Sequence, residues 1–265
     1  MSEFRDSYGP VALVTGASSG IGKGFAEELA ARGLDLVITA RRRERLEELA
    51  ASLRAQHGVK VDVIVADLSD PGAPQLLADA TQGQDIGLVV SNAGFSVRGY
   101  HETLNPAELT EMLMVDCYAP LHLSHRFLPR LKARGRGGLI MVSSIEALMG
   151  CPFSAAYAAM KALVVHLGEG LFAEAAAAES RVDILTCCPG ATDTEAGERA
   201  GVDMSKIPNL QDPRELAAIT LDNIANGPTC FPNAAYKAQF DGMLAMPKAD
   251  ALRAMAQGMK AAMAS

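Results

Sequence analysis

Residues 11–22 read VALVTGASSGIG, a short apolar run that leads directly into a turn with three glycines. A segment of helical period follows at once, from Ile21 to Arg32. Glycines at a strand-to-helix junction let the backbone turn tightly and approach a pyrophosphate, and the amide groups at the helix start favour an anion. The junction therefore predicts a nucleotide-binding turn, although a turn that serves only helix packing is the alternative. The candidate contacts are Gly16, Ser18, Ser19, Gly20, Ile21 and Gly22.

Short apolar runs alternate with longer segments of helical period up to about residue 190. This alternation is typical of βαβ units around a parallel sheet, with right-handed crossovers that place helices on both faces. The predicted strands are Val11–Thr15, Asp35–Thr39, Val61–Ala66, Gly87–Ser91, Gly138–Ser143 and Arg181–Cys187. The predicted helices are Ile21–Arg32, Arg43–Gln56, a weak one after Pro71, Pro106–Arg134 and Ser154–Glu179. We predict an α/β fold: a single-domain, Rossmann-like, doubly wound parallel sheet over residues 1–265, with a helical C-terminal tail at about 233–265.

The composition limits the classes of function. The 265 residues carry a formal charge of −7, and 49% of them are hydrophobic. The acidic balance argues against binding to nucleic acid or to an anionic membrane surface. No apolar run approaches the roughly 20 residues that span a bilayer, and the N-terminus has no signal-peptide pattern. Five cysteines without CxxC spacing indicate reduced thiols rather than a disulfide or metal framework. We expect a cytoplasmic protein without a metal site that acts on a small molecule.

The end of the second predicted strand bears on which dinucleotide is bound. An acidic residue at this place holds a ribose 2′-hydroxyl, whereas arginine suits a 2′-phosphate. Ala40 supplies no carboxylate, and Arg41 supplies a planar guanidinium that matches phosphate. NADP(H) is therefore favoured over NAD(H). Arg42, Arg43 and Arg45 are interpreted as the solvated first turn of a helix.

Polar residues also follow the third and fourth predicted strands. Asp67-Leu68 ends the third, and Asn92-Ala93-Gly94 ends the fourth. Each pair or triplet could serve only as a cap or turn. Because the carboxyl ends of parallel strands meet at one edge of a sheet, we expect these residues to face adenine and its ribose.

Tyr157 and Lys161 are four residues apart in a helical segment, so one turn brings both to the same face. A phenol has a pKa near ~10, and a nearby ammonium favours the phenolate. The pair is thus a tunable general acid/base. Ser144 follows the fifth predicted strand, where its hydroxyl would reach the same cleft. No G-x-S-x-G motif surrounds it, so Ser144 is not interpreted as a nucleophile.

These motifs together resemble the short-chain dehydrogenase/reductase family, over residues 11 to about 195. The shared elements, in the family's order, are the glycine turn, Asn92-Ala93-Gly94, Ser144, Tyr157-x3-Lys161 and Pro189-Gly190. The resemblance implies that Tyr157 is the acid/base, that Ser144 orients the carbonyl or alkoxide, and that Lys161 holds the nicotinamide ribose and lowers the pKa of the tyrosine. It further implies contacts to the nicotinamide carboxamide and the phosphates from Pro189, Gly190, Thr192 and Thr194.

One position departs from the family's pattern. Asp116 stands where most members carry an asparagine that completes a water-linked proton relay to the lysine. An aspartate accepts hydrogen bonds but does not donate them as an amide does, and it adds negative charge near Lys161. The hypothesis is a preserved relay with altered proton affinity, and the alternative is a disabled site.

The predicted reaction is reversible hydride transfer between NADP(H) and a carbonyl or secondary alcohol. Small or apolar residues after the fifth strand suggest an apolar ketone or alcohol, namely Ala147, Leu148, Met149, Cys151 and Phe153. By the resemblance, residues of about 195–210 should cover the substrate, and the helices near 106–134 and 154–179 should pair copies into a homodimer or homotetramer. Two alternatives stay open: an NAD-dependent alcohol dehydrogenase, and a nucleotide-sensing regulator without turnover.

Overall fold

A computed structural model describes residues 2–195, 197, 207 and 209–264 of the chain. Over these residues the strands form one parallel sheet with the order β3-β2-β1-β4-β5-β6-β7. The strands are β1 Val11–Thr15, β2 Asp35–Ala40, β3 Val61–Val65, β4 Ile86–Ser91, β5 Gly137–Val142, β6 Val182–Cys187 and β7 Thr229–Cys230. The strand order reverses between β1 and β4, and in such sheets ligands bind at this reversal, beyond the carboxyl ends of the strands.

Helices cover both faces of the sheet, as the alternating pattern predicts. The helices are α1 Ser2–Tyr8, α2 Gly20–Ala31, α3 Arg43–His57, α4 Ala73–Ala80, α5 Pro106–Leu113, α6 Ala119–Arg134, α7 Ala155–Ala177, α8 Pro213–Asp222, α9 Ala234–Leu244 and α10 Lys248–Ala264. One apolar core lies between the sheet and α2, α3 and α8, around Phe25. A second core lies on the opposite face against α4, α6 and α7, around Phe127. The predicted doubly wound fold is therefore confirmed.

The long helix predicted over Pro106–Arg134 is wrong as one continuous helix. The structure has α5, then a π-helical turn at Met114–Tyr118, then α6. Pro120 explains the interruption, because it has no N–H to donate to the carbonyl of Asp116 and its ring crowds that carbonyl. The wider turn instead forms a bond from Ala119 N to Met114 O. The irregular turn carries Asp116, the candidate relay residue.

Two short elements were absent from the sequence prediction. Helix α1 precedes the sheet and is held by a hydrogen bond from the Tyr8 hydroxyl to Asp183 at 2.6 Å. Strand β7 pairs only Thr229 and Cys230 with the end of β6. Elements this short carry too few residues for a periodic pattern, and both depend on contacts with distant parts of the chain.

The predicted helical tail is present as α9 and α10. Its side chains add a third apolar cluster behind the loop that follows β5. Ile145, Cys151, Ala158 and Phe240 form the buried part of this cluster, and Met243 and Met255 are among the half-buried side chains that pack against it. The segment proposed as the substrate cover, about 195–210, lies largely outside the described residues.

Candidate active site

A cavity of about 480 Å³ opens at the carboxyl ends of the strands, at the reversal between β1 and β4. It runs from the glycine turn, past the ends of β2 and β3, to α7. The predicted site residues that line it are Gly16, Ser18, Ser19, Gly20, Ile21, Arg41, Asp67, Leu68, Asn92, Ala93, Gly94, Tyr157, Lys161 and Thr194. Residues from six separate parts of the chain thus meet at one surface.

The glycine turn has the backbone geometry that its sequence predicts. Gly16 has φ of 69° and Gly20 has φ of 53°, in the left-handed region that side chains disfavour. Gly22 does not line the cavity, and a Cβ there would collide with the carbonyl oxygen of Gly16. Asn92 fastens the turn to β4, because its Nδ2 donates to Thr15 O at 2.9 Å. At Gly16 and Gly20 the backbone of the turn therefore faces the cavity without a Cβ between them.

The end of β2 presents two arginines rather than one. Arg41 forms an ion pair with Glu111 at 2.7 Å and lies 3.8 Å from an Asp67 carboxylate oxygen. Arg42, interpreted from the sequence as solvated, instead donates to the hydroxyls of Ser18 at 3.1 Å and Ser19 at 2.8 Å. It also lines the cavity.

The other two arginines of this segment differ from each other. Arg43 is largely exposed, as predicted, and lies 3.8 Å from Glu47. Arg45 instead pairs with Glu195, which also accepts from Arg42 at 2.9 Å. Hydrogen bonds from Arg42 and Arg45 hold the pKa of the Glu195 carboxyl below its usual range.

A buried ion pair lies under the other end of the cavity. Asp116 Oδ1 is 2.7 Å from Lys161 Nζ, and the two side chains are 0% and 5% exposed. Phe95 N donates to the second carboxylate oxygen at 3.2 Å, and Lys161 Nζ donates to Val142 O at 3.2 Å. Gly94 makes room for the pair, since a Cβ there would come 2.5 Å from Asp116 Oδ1. The aspartate that departs from the family's pattern is therefore in direct contact with the lysine.

Burial changes the proton affinities of both members of this pair. Burial raises the pKa of the Asp116 carboxyl more than Lys161 lowers it. Burial by itself lowers the pKa of the Lys161 ammonium, but the Asp116 and Tyr157 charges outweigh it, so the net direction is upward. The net shift of the Lys161 pKa therefore favours its charged ammonium form.

Tyr157 lies half-buried at the cavity wall, one helical turn before Lys161. Ser144 lies near its hydroxyl, and Lys161 Nζ lies 5.6 Å from the centre of its ring. Burial raises the pKa of the Tyr157 phenol, Asp116 and Glu146 add to the rise, and Lys161 and Ser144 offset only part of it. The phenol is thus protonated at neutral pH and poised as a hydrogen-bond donor.

Ser144 and the segment after β6 lie behind the cavity wall. Ser144 is buried and accepts from Glu146 N at 3.2 Å. Pro189 O accepts from Ile145 N at 2.8 Å, which fixes the segment beside the serine. Gly190 packs closely on the ring of Tyr236, and Thr192 is buried and donates to Gly190 O at 3.2 Å. Only Thr194 of this predicted group lines the cavity.

An ion pair that the sequence does not predict lies near Tyr157. Arg98 Nη2 donates to Glu146 Oε1 at 2.6 Å, and both side chains are mostly buried. Gly99 N also donates to Phe153 O at 2.8 Å. These contacts tie the loop after β4 to the loop after β5. No periodic pattern links these loops, because they are about fifty residues apart and meet only in the folded chain.

The cavity suits a nicotinamide dinucleotide by its chemistry. A glycine turn without side chains, serine hydroxyls and a helix N-terminus form a cradle for phosphates at one end. Two arginines lie at the end of β2 for a further anionic group. Tyr157 and Lys161 line the other end, and the buried Ser144 lies behind the wall beside them. Among the described residues no group of histidine, cysteine or acidic side chains could hold a metal ion.

The chain combines a doubly wound sheet, a phosphate cradle at one end of the cavity, and a tyrosine, serine and lysine near the other end. This combination is typical of a nucleotide-binding oxidoreductase. The family described as short chain dehydrogenase matches residues 10–204. The chain belongs to the short-chain dehydrogenase/reductase family. Within the described part of the chain no helix is both long and apolar enough to cross a membrane.

Three relatives illustrate the similarity. A 7beta-hydroxysteroid dehydrogenase of Clostridium sardiniense is 35% identical over 191 residues, which are 72% of each chain. The structure of a short-chain dehydrogenase from Sphingobium yanoikuyae in complex with NADPH has a TM-score of 0.81 at 30% identity and covers 95% of each chain. A bulky-bulky ketone specific alcohol dehydrogenase from Comamonas testosteroni has a TM-score of 0.75 at 27% identity, over 92% of this chain and 97% of its own.

Proposed function

We propose that this chain catalyses reversible hydride transfer between NADP(H) and a bulky, largely apolar ketone or the corresponding secondary alcohol. The observation that carries the proposal is the position of Tyr157 at the cavity wall, near Ser144 and beside the buried Lys161–Asp116 pair. This arrangement provides a proton donor and an ammonium where the cavity ends. The intact constellation is the reason to favour an enzyme over a nucleotide-sensing regulator, which needs no acid/base.

The bound dinucleotide would supply the hydride, and the protein groups would manage the proton and the charge. Tyr157 would give its phenolic proton to the developing alkoxide, and Ser144 would hydrogen-bond the same oxygen. Lys161 would hold the ribose hydroxyls and stabilise the phenolate left behind. Asp116 would keep Lys161 charged and in place. Catalysis would then rest on positioning and electrostatic stabilisation rather than on a covalent intermediate.

The dinucleotide would lie along the residues predicted for it from the sequence. Its adenosine end would lie near Arg41, Asp67 and Leu68. Arg42, which also lines the cavity, is a further proposed contact of this end. The glycine turn would hold its phosphates, and its nicotinamide end would approach Tyr157 and Lys161. The remaining proposed contacts are Asn92, Ala93, Gly94, Pro189, Gly190, Thr192 and Thr194. Arginines at the end of β2 favour the 2′-phosphate of NADP(H), and the NADPH complex of the Sphingobium relative supports this choice.

An apolar substrate is supported by the surroundings of Ser144 and Tyr157. Ile145 and Ala158, the next residue after each, are buried in the third apolar cluster with Phe240. Half-buried Leu148 and Phe231 pack on this cluster from the loop after β5 and from the segment before α9. Names of relatives point the same way, since they specify a hydroxysteroid and a bulky ketone.

The state of assembly is also a proposal. Leu113, Leu121 and Leu163 are 47%, 44% and 41% exposed on the neighbouring helices α5, α6 and α7. Exposed apolar side chains grouped on adjacent helices suit a contact between copies. We propose a homodimer or homotetramer that pairs through these helices, with the whole chain acting as one dinucleotide-binding and catalytic unit. Five free thiols suit a reducing compartment, and a cytoplasmic location is proposed.

Replacing the acid tests the proposal. We expect Tyr157→Phe to lower kcat for ketone reduction by about 10²–10⁴-fold, the usual contribution of a general acid, while NADPH still binds. The assay follows the absorbance of reduced nicotinamide over a panel of ketones with NADPH and with NADH. Because the phenol pKa is raised, reduction should be fast at neutral pH, whereas alcohol oxidation, which needs the phenolate, should rise toward alkaline pH.

The matched control is Tyr118→Phe, since that hydroxyl donates to Pro71 O at 3.3 Å and does not line the cavity. Full activity of Tyr157→Phe would refute the assigned role. NADH as the preferred reductant would support the NAD-dependent alternative. Tight cofactor binding without turnover across the whole panel would support the nucleotide-sensing regulator.

A further inference from the structure

Glu195 lies beside the end of the cavity that the sequence assigns to the adenosine ribose. Its carboxylate accepts from Arg42 Nη1 at 2.9 Å and from Arg45. It also lines the main cavity together with Arg42. A carboxylate between two guanidinium groups occupies the kind of place where a phosphate would bind, because both anions accept parallel N–H bonds from arginine.

Arg42 links this carboxylate to the glycine turn. Its Nη2 donates to Ser18 Oγ at 3.1 Å and to Ser19 Oγ at 2.8 Å, while its Nη1 is committed to Glu195. An arginine has five N–H donors in a fixed plane, so the orientation that satisfies Glu195 also fixes where the other donors point. A second anion at the end of β2 must therefore compete with Glu195 for the same guanidinium face.

We propose that Glu195 is a cofactor-discriminating residue: its carboxylate acts as an internal competitor for Arg42 and Arg45, so that the 2′-phosphate of NADP(H) must displace it whereas NAD(H) leaves it in place. The inference rests on the proposed function, because it concerns the same dinucleotide site. Glu195 weakens NADP(H) binding and moderates a preference that two unopposed arginines would make stronger.

The size of the effect follows from the exposure of the pairs. The side chains of Arg42, Arg45 and Glu195 are 36%, 46% and 42% exposed, so water screens each ion pair. Exposed pairs are individually weak. The expected discrimination is therefore modest, and two such pairs together correspond to about three- to tenfold in a dissociation constant.

The test is a titration of the full-length protein with NADPH and, separately, with NADH, followed by nicotinamide fluorescence. In Glu195→Gln we expect the NADPH dissociation constant to fall about three- to tenfold and the NADH constant to stay nearly unchanged. The matched control is Glu48→Gln, which removes the same charge from an exposed glutamate on α3 that does not line the dinucleotide cavity. This control should leave both constants unchanged if the effect belongs to the contacts of Glu195 and not to net charge.

Removing both arginines distinguishes competition by Glu195 from a general change in the structure of the segment around it. In an Arg42→Ala, Arg45→Ala background the Glu195→Gln change should no longer tighten NADPH binding, because no guanidinium is left to release. Unchanged NADPH affinity in Glu195→Gln, or equal tightening of NADPH and NADH, would overturn the inference while leaving the proposed oxidoreductase intact. Absence of binding of either cofactor to the unaltered protein would overturn both.

Discussion

The buried charge of Asp116 affects the protonation of two other site residues, Lys161 and Tyr157. It is fully buried, its carboxylate contacts Lys161 at 2.7 Å, and it raises the pKa of the nearby Tyr157 phenol. An asparagine at this position would present a neutral amide to the same lysine. The charge of Asp116 therefore holds Lys161 as an ammonium and at the same time opposes ionisation of the tyrosine.

The substitution Asp116→Asn should change both the pH dependence of the reaction and the stability of the fold. Loss of the carboxylate removes one of the charges that raise the pKa of Tyr157, so the limb of the pH–rate profile that reports the phenol should move to lower pH. Lys161 would remain buried with a weaker partner, and breaking a buried pair costs about 3–5 kcal/mol of unfolding free energy. Because an amide oxygen still accepts from the ammonium, we expect the lower end of that range.

Rate profiles over pH and urea unfolding measure the two effects separately. Asp62→Asn is the control, since that carboxylate is exposed on β3 and accepts only from Gln84 at 3.0 Å among the described contacts. Superimposable profiles and rates for the unaltered protein and Asp116→Asn would show that Asp116 does not tune the proton transfer.

At the same scale the sequence identified residues whose roles depend on local spacing and missed those that depend on distant contacts. Tyr157 and Lys161 are one helical turn apart, so periodicity alone places them together. From the sequence Arg42 was interpreted as part of a solvated first helical turn, because its partners come from other parts of the chain. These partners are Ser18, Ser19 and Glu195. The residue spacing within 40–45 gives no indication of these contacts.

At the scale of elements, the π-helical turn at Met114–Tyr118 shows how an irregularity serves the site. A continuous helix was predicted because the apolar period runs through the segment. The signal against it was Pro120, which removes a hydrogen bond to the carbonyl of Asp116. The turn brings Asp116 against Lys161 on α7. The boundaries of the other predicted helices and strands differ from the observed ones by about one or two residues, because end turns depend on capping contacts.

The exposed leucines of α6 and α7 allow the proposed assembly to be tested. Leu121→Glu with Leu163→Glu should convert the oligomer into smaller species, because two buried charges per copy would oppose contact between these helices. Light scattering coupled to size-exclusion chromatography measures the mass in solution. Leu76→Glu on α4 is the matched control, since that leucine is 48% exposed and lies on another helix. A monomeric unaltered protein, or an oligomer indifferent to both substitutions, would refute pairing through α6 and α7.

At the scale of the whole molecule, the parallel sheet explains why residues from so many segments converge. Loops after β1, β2, β3 and β4 meet at one edge because all these strands point the same way. The alternating apolar pattern was sufficient to predict this edge, and the motifs at the strand ends predicted many of the residues that line it, but not Arg42 or Glu195. The contact of Arg98 with Glu146 and the packing of the tail helices behind the site could not be predicted, because these contacts join distant parts of the chain and leave no periodic pattern.

Hydride transfer by this chain is measured directly with NADPH that carries deuterium at the transferable position of the nicotinamide ring. With a ketosteroid or another bulky ketone from the panel, we expect deuterium on the carbinol carbon of the alcohol product, detected by mass spectrometry or NMR. Tyr157→Phe should form this product far more slowly, while Tyr118→Phe should match the unaltered protein. An alcohol without deuterium, or bound NADPH that is never consumed, would contradict hydride transfer to a carbonyl by this chain.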